Sequence, residues 1–238
     1  MTHTSIRGLR IAVTGGTSGL GLALVRRLLD AGADVAFVAR RRAGVERVCQ
    51  ERPDAHGIVG DVSRKEEIHP IAIQVLGALN GLDVLVNNAS SLGPVPLAPL
   101  ADTECEDLER ALATNVLGPF RLTKALLGSL AATAREGGAP LVINISSDAA
   151  VTPYAGWGAY GASKAALAHL TRIWDAELAA EGIRMVSVDP GDMDTPLHAV
   201  AIPDADRSTL KNPEQAAAEI VELIAANVAR APKVETLS

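Results

Sequence analysis

At 238 residues, with 48% of them hydrophobic and a mean hydropathy of +0.19, the chain is long enough to bury one large core. A net charge of −6 and an isoelectric point near 5.4 leave no basic field for nucleic acid. No apolar run reaches membrane-span length, and the opening MTHTSIRGLR has no apolar signal region, so a cytoplasmic protein with no membrane partner is expected.

The elements alternate along the chain. Residues 9–14 form a short apolar run that ends in glycines and predicts a buried strand; 19–31 have helical periodicity. A second strand is predicted at 34–39 and a short charged helix at 42–51. A third strand follows at 56–59. Ser63 reads as the cap of a helix running to about 77, with Glu66 three residues on. Residues 83–86 predict a strand before the polar NNAS, and a proline-rich loop follows with Pro94, Pro96 and Pro99. Two helical stretches are expected at 104–113 and 115–134, a strand at 141–146, a long helix at 158–180 and a strand at 183–189. Asn212-Pro213 opens a last helix to about 229.

Strands that are near-continuous apolar runs, each followed by a helix, predict a parallel sheet covered on both faces. The fold class is therefore α/β, a doubly wound parallel sheet in a single domain spanning 1–238, with 1–7 as a tail. Ligands of such sheets bind beyond the carboxyl ends of the strands. Cys49 and Cys105 lie far apart, outside any metal-ligand spacing, and read as buried or partly buried thiols in a reducing compartment. No metal site is expected.

TGGTSGLG, residues 14–21, joins the first strand to the first helix. Gly15, Gly19 and Gly21 allow positive φ and close backbone approach, and the turn, with Thr17, Ser18 and Leu20, aims free amides where a pyrophosphate is stabilised. The alternative is a tight turn that binds nothing. A dinucleotide site of this kind expects an acid about 20 residues on, for a ribose 2′-hydroxyl. Here the second strand ends in Ala39-Arg40-Arg41-Arg42. A guanidinium pairs with a 2′-phosphate that a carboxylate would repel, which favours NADP(H) over NAD(H), with Arg40 the first contact and Arg41 the second. Arg42 reads equally as a solvated residue of the next helix. Asp61 reads either as an acceptor for an adenine amino group or as a simple turn residue.

Only two tyrosines occur in the chain, and one, Tyr160, stands four residues ahead of Lys164 in YGASK. On a helix the two share a face. An ammonium beside a phenol lowers its pKa from about 10, which suits a phenol to giving or taking a proton. Ser147, at the end of the LVINISS strand, lies 13 residues upstream and can hold a carbonyl oxygen. Asn115 stands three residues before a Gly-Pro pair, an unusual place for an amide without a local task.

Taken in order, TGGTSGLG, GDV at 60–62, NNAS at 87–90, Asn115 in NVLG, ISS at 145–147, YGASK at 160–164 and PGDMDT at 190–195 resemble the short-chain dehydrogenase/reductase superfamily, in its compact single-domain form. The resemblance runs from about residue 8 to about residue 230. It implies that Tyr160 is the general acid/base, that Lys164 tunes the phenol and binds the nicotinamide ribose, and that Ser147 polarises the substrate carbonyl. Asn115 would hold a water linking Lys164 to solvent. Asn87 and Ala89 would line the cofactor near the adenosine ribose, and Val62 would flank the adenine. Pro190, Gly191, Met193 and Thr195 would meet the nicotinamide end.

The sequence departs from the family pattern in three places. Ser90 stands where glycine is usual, with only a local adjustment expected. Asp192 and Asp194 replace frequent apolar residues and bear on substrate polarity. KVETLS at 233–238 lacks the glycine-rich last strand of many relatives, which puts tetramer formation in question. Tyr154 and Trp157 read either as flat walls of a substrate pocket or as surface packing, and 196–212 as a lid over it. Trp174 and the alanine-rich 165–180 suggest a homodimer face. The expected activity is NADP-dependent interconversion of a carbonyl and a hydroxyl on a small or medium substrate. A non-catalytic nucleotide sensor or scaffold is the alternative, disfavoured by the intact Ser147, Tyr160 and Lys164. A sugar-nucleotide epimerase or dehydratase would need a longer substrate domain than any stretch here provides.

Overall fold

The structure, a computed structural model, describes residues 6–229. Six strands form one sheet: β1 (Arg10–Thr14), β2 (Asp34–Ala39), β3 (His56–Val59), β4 (Val84–Asn87), β5 (Leu141–Ile145) and β6 (Arg184–Val188). Their order is β3-β2-β1-β4-β5-β6, and every pair is parallel. The helices are α1 (Gly19–Asp30), α2 (Arg42–Glu51), α3 (Lys65–Leu79), α4 (Cys105–Leu112), α5 (Gly118–Arg135), α6 (Gly158–Leu178), α7 (Pro196–Ala201) and α8 (Pro213–Ala229). All six strands stand where the apolar runs predict them, because a strand covered on both faces needs no polar alternation.

The pleat sorts neighbouring residues to opposite faces. Ile11 and Val13 of β1 join a core with Leu24 and Leu28 of α1 and Ile220 and Ile224 of α8. Ala12, between them, joins the other core, with Ile71 and Val75 of α3 and Leu122, Leu126 and Leu130 of α5. Each fully buried leucine contributes about 2–3 kcal/mol by leaving water. Ile6, in the expected tail, is buried in the first core.

Local differences from the expectation have identifiable causes. Ser63 does not cap α3, which starts at Lys65. Asp61 captures Ser63 instead: its Oδ1 accepts from the Ser63 N–H at 2.9 Å and from the Ser63 hydroxyl at 2.7 Å. An aspartate two residues upstream competes well for a serine's donors. The two stretches expected at 104–113 and 115–134 are joined by a π-helical turn, Ala113–Leu117, which carries Asn115. Such single wide turns inside helices are frequent at functional sites. Cys105, expected to be at least partly buried, is exposed, and Cys49 is partly buried; both are free thiols. The 233–238 segment lies outside the described residues. Among the described residues, no helix is long and apolar enough to cross a membrane.

Candidate active site

All six strands point their carboxyl ends at one edge of the sheet, and the order reverses between β1 and β4. One cavity of about 830 Å³ opens there, within the roughly 300–1,000 Å³ span of ligand pockets.

At one end lies the turn between β1 and α1. Gly15 has φ +73°, which favours glycine, and a Cβ on Gly21 would stand 2.2 Å from the Gly15 carbonyl oxygen. Ser18, the residue before α1, makes no capping bond, so the first amides of that helix stay available to a ligand. Gly15, Thr17, Ser18, Gly19, Leu20 and Gly21 all line the cavity. Thr14 and Asn88 brace the turn: Thr14 Oγ1 accepts from the N–H groups of Asn88 and Ala89, each at 3.0 Å, and Asn88 Nδ2 donates to the Thr14 carbonyl at 2.8 Å.

Arg40 and Arg41 line the same end. Both are exposed and make no side-chain hydrogen bond or ion pair with any described residue. Arg42 does not line the cavity. Asp61 and Val62 do. Asn87 does not: its side chain is buried between strands, where Nδ2 donates to Asn144 Oδ1 at 2.8 Å and to Thr123 Oγ1 at 3.3 Å. Asn88 and Ala89, just beyond the end of β4, line the cavity.

The other end gathers Ser147, Tyr160 and Lys164. Tyr160, 7% exposed, and Lys164, 2% exposed, share one face of α6. Lys164 Nζ donates to the Ile145 carbonyl at 2.7 Å and lies 5.5 Å from the Tyr160 ring centre. Burial holds its pKa down to about 8. Burial pushes the Tyr160 phenol up to about 12, against the hydroxyls of Ser147 and Ser90, which draw it down. The phenol thus rises where a lowering by Lys164 was expected, because desolvation of a phenolate exceeds the help of the two serine hydroxyls.

Asn115 is fully buried and does not face the cavity. Its Nδ2 donates to the Ser91 carbonyl at 2.7 Å and to Ser163 Oγ at 2.8 Å. Its Oδ1 accepts from the Ser91 N–H at 2.8 Å and from Ser90 Oγ at 3.3 Å. An amide has two donor hydrogens and two acceptor sites, so none of the side chain is left for a water. Ser163 Oγ in turn donates to the Tyr160 carbonyl at 2.6 Å, so Asn115 ties the turn after β4 to α6. Ser90 sits in this network and lines the cavity, which is more than a local adjustment.

Tyr154 and Trp157 line the cavity, and the edge of Trp157 meets the Tyr160 ring at 5.7 Å between centres. From the expected lid, α7 and Ile202 form a wall, while residues 203–212 stand away from it. Thr195 Oγ1 caps α7 by accepting from the His198 N–H at 3.2 Å. Pro190, Gly191, Met193 and Thr195 line this side. Asp192 does too, but Asp194 does not: it pairs with Arg207 at 2.8 Å, which removes it from substrate polarity. Sequence reasoning missed Asn88, Ser91, Ser163 and Asp148. Each stands beside a residue that the sequence singled out, Asn88 by Asn87, Ser91 by Ser90, Ser163 by Lys164 and Asp148 by Ser147, but adjacency does not tell which partner a side chain takes.

The strand order, the glycine turn beside the switch from β1 to β4 and the polar groups at the strand ends define a Rossmann-like α/β protein. Within that class the chain belongs to the short chain dehydrogenases, whose family model matches residues 10–206. A short chain dehydrogenase of Pseudocercospora fijiensis is 36% identical over 201 residues, which cover 82% of this chain and 62% of that protein, so the chain spans less than two thirds of that relative's length. The crystal structure of 3-ketoacyl-(acyl-carrier-protein) reductase from Brucella melitensis complexed with NADH is similar with a TM-score of 0.88 and 27% identity, over 95% of this chain and 94% of that one. A variant of actinorhodin polyketide ketoreductase with NADPH gives 0.81 and 28%, over 92% of each chain.

Proposed function

We propose that the chain is an NADP-dependent oxidoreductase that interconverts a carbonyl and a hydroxyl on a small or medium substrate. The observation that carries this reading is the meeting, in one cavity, of Arg40 and Arg41, without a side-chain partner among the described residues, with Ser147, Tyr160 and a buried Lys164. A bound nicotinamide dinucleotide supplies or accepts the hydride. The amides of the Gly15–Gly21 turn would hold the pyrophosphate, Arg40 and Arg41 the 2′-phosphate, and Asp61 and Val62 the adenine. Ala89, Pro190, Gly191, Met193 and Thr195, which line the same cavity, would hold the rest of the nucleotide. The glycine cradle, the free guanidiniums and the volume fit such a group. Structures of family relatives with NADH and with NADPH support a nicotinamide cofactor without choosing between the two.

Tyr160 gives its phenolic proton to the developing alkoxide, or takes one from an alcohol. Lys164 binds the nicotinamide ribose and, with its ammonium near the ring, favours the phenolate. Ser147 holds the substrate oxygen. Asn115 acts through structure, fixing the backbone of Tyr160; a proton-relay water near it would have to rest on backbone rather than on its amide. α7 and Ile202 act as the lid. We also propose a homodimer in the cytoplasm, formed across α5 and α6, where Phe120 and Trp174 stack at 5.0 Å and Ile173 is 42% exposed.

The test is a parallel titration with NADPH and NADH, read by nucleotide fluorescence, followed by a carbonyl screen with the tighter one. Tight NADPH and weak NADH are expected. Equal or tighter NADH removes Arg40 from the phosphate site, and binding of neither overturns the enzymatic reading. Light scattering that returns a stable monomer at micromolar concentration overturns the dimer.

A further inference from the structure

Two serine hydroxyls reach the Tyr160 phenol: Ser147, just beyond β5, and Ser90, just beyond β4. Ser90 stands where the family usually has glycine, which has no hydroxyl to offer. The two serines differ in what holds their single protons. Ser147 Oγ donates to Asp148 Oδ1 at 3.0 Å, and a carboxylate is a strong, charged acceptor. Ser90 Oγ donates to Asn115 Oδ1 at 3.3 Å, well beyond the roughly 2.7–2.8 Å usual for a hydroxyl donor. That amide oxygen has a better donor in the Ser91 N–H, at 2.8 Å. The Ser90 proton can therefore turn elsewhere and leave no buried group without a partner, while the Ser147 proton gives up a bond to a charge if it turns.

The Ser90 hydroxyl is held in place by bonds that do not use it. Asn115, fully buried in the π-helical turn, donates to the Ser91 carbonyl at 2.7 Å and to Ser163 Oγ at 2.8 Å. Ser163 Oγ donates to the Tyr160 carbonyl at 2.6 Å. The segment that carries Ser90 is thus tied to the turn of α6 that carries Tyr160. The charged groups that face the phenol come from elsewhere: Lys164 from the next turn of α6, and Asp189 and Asp148 from beyond β6 and β5, whose carboxylates push its pKa up. Ser90 carries no charge, so its removal leaves those groups as they are.

We propose that Ser90 is a further catalytic residue, whose hydroxyl donates to the Tyr160 oxygen once the phenol has given up its proton and so stabilises the phenolate. The proposal rests on the reading of Tyr160 as the proton donor and acceptor of this site and deepens it. When a carbonyl is reduced, the Tyr160 O–H bond breaks, the proton goes to the substrate alkoxide, and the electron pair stays on the phenolate oxygen. The Ser90 O–H bond stays intact; only its direction changes, from Asn115 to the phenolate. In alcohol oxidation the Ser90 bond to the phenolate is already formed, and it is released as the phenolate takes the alcohol's proton. A hydrogen bond made only to the charged form favours that form, and this one is made at the oxygen where charge develops.

The test is the ionisation of Tyr160 itself, without nucleotide or substrate. The chain has two tyrosines, so Tyr154→Phe leaves Tyr160 as the single phenol. In that background tyrosine is replaced biosynthetically by a ring-difluorinated tyrosine. The fluorines make the phenol more acidic, which brings its titration within the pH range of a folded chain, and fluorine NMR follows it. The parent is compared with Ser90→Ala, Ser90→Val and Ser90→Thr. The alanine and valine variants are expected to raise the apparent pKa of the phenol by about one pH unit, as for the loss of one hydrogen bond to a charge. Ser90→Thr has the shape of the valine variant and keeps the hydroxyl, so it stays near the parent. No rise in the alanine and valine variants overturns the proposal. So does an equal rise in all three, which would mean that Ser90 acts by shape. Failure of the oxidoreductase reading shows separately, as no hydride transfer with either nucleotide.

Discussion

At the Arg40 end of the cavity the polar groups wait in water; at the Tyr160 end they are buried and tied to one another. Arg40 and Arg41 have no partner among the described residues, and the first amides of α1 are uncapped. Lys164, Asn115 and Ser163 are buried, and each donates to a named partner. The difference follows from the two tasks. Capture of a charged ligand needs strong donors that are free to pair. Moving a proton needs groups whose place is set before the substrate arrives, since reorganisation during the reaction raises the barrier.

The sharpest way to break this comparison is at the buried end. Tyr160→Phe keeps the ring in its pocket and removes the hydroxyl. Turnover is expected to fall about 10³-fold, with nucleotide affinity and melting temperature nearly unchanged, as read by nucleotide absorbance and calorimetry. Retained turnover would remove the phenol from the proton step. At the open end the effect is smaller and confined to one nucleotide. Arg40→Ala is expected to weaken NADPH about 10- to 100-fold, the worth of a charge-assisted hydrogen bond, while NADH stays within twofold. Equal losses for both would mean that Arg40 acts through the fold. Arg42→Ala, outside the cavity, is the matched control.

The smallest effect is a slope with pH. Folding holds Lys164 at about 8, below its ordinary 10.5. Between these values the unfolded chain carries a proton on this lysine that the folded chain lacks, so this group makes the fold more stable as pH rises through that window. Tyr160 works the other way between 10 and about 12, where the folded chain keeps a proton that the unfolded one has lost. Lys164→Met removes the first slope. The melting temperature of the variant should therefore gain less than that of the parent between pH 7.5 and pH 10. Equal gains would mean that the ammonium is solvated in the fold.

Much of this molecule can be read along the chain. The strands are legible because their apolar runs are local, and the glycine turn because φ and close approach constrain single residues. Tyr160 and Lys164 are legible as a pair because helical spacing sets a shared face by itself. What the spacing does not carry is the environment of that face: the phenol rises to about 12 because of what packs over it. Asn87 and Asn88 are neighbours of the same type, yet the fold buries one and opens the other to the cavity. Asn115 meets Ser163 across 48 residues, and Asn88 reaches Thr14 across 74. Asp194 turns to Arg207, 13 residues on, a partner that the fold brings within reach, whereas Ser63 turns to Asp61 by the local geometry of two residues. The sequence by itself determined the sheet, its cofactor-type turn and the identities of the reactive side chains, because local spacing and backbone conformation decide those. Only the tertiary structure decided which hydroxyls, carboxylates and amides satisfy one another, because a buried polar group takes whichever partner packing delivers.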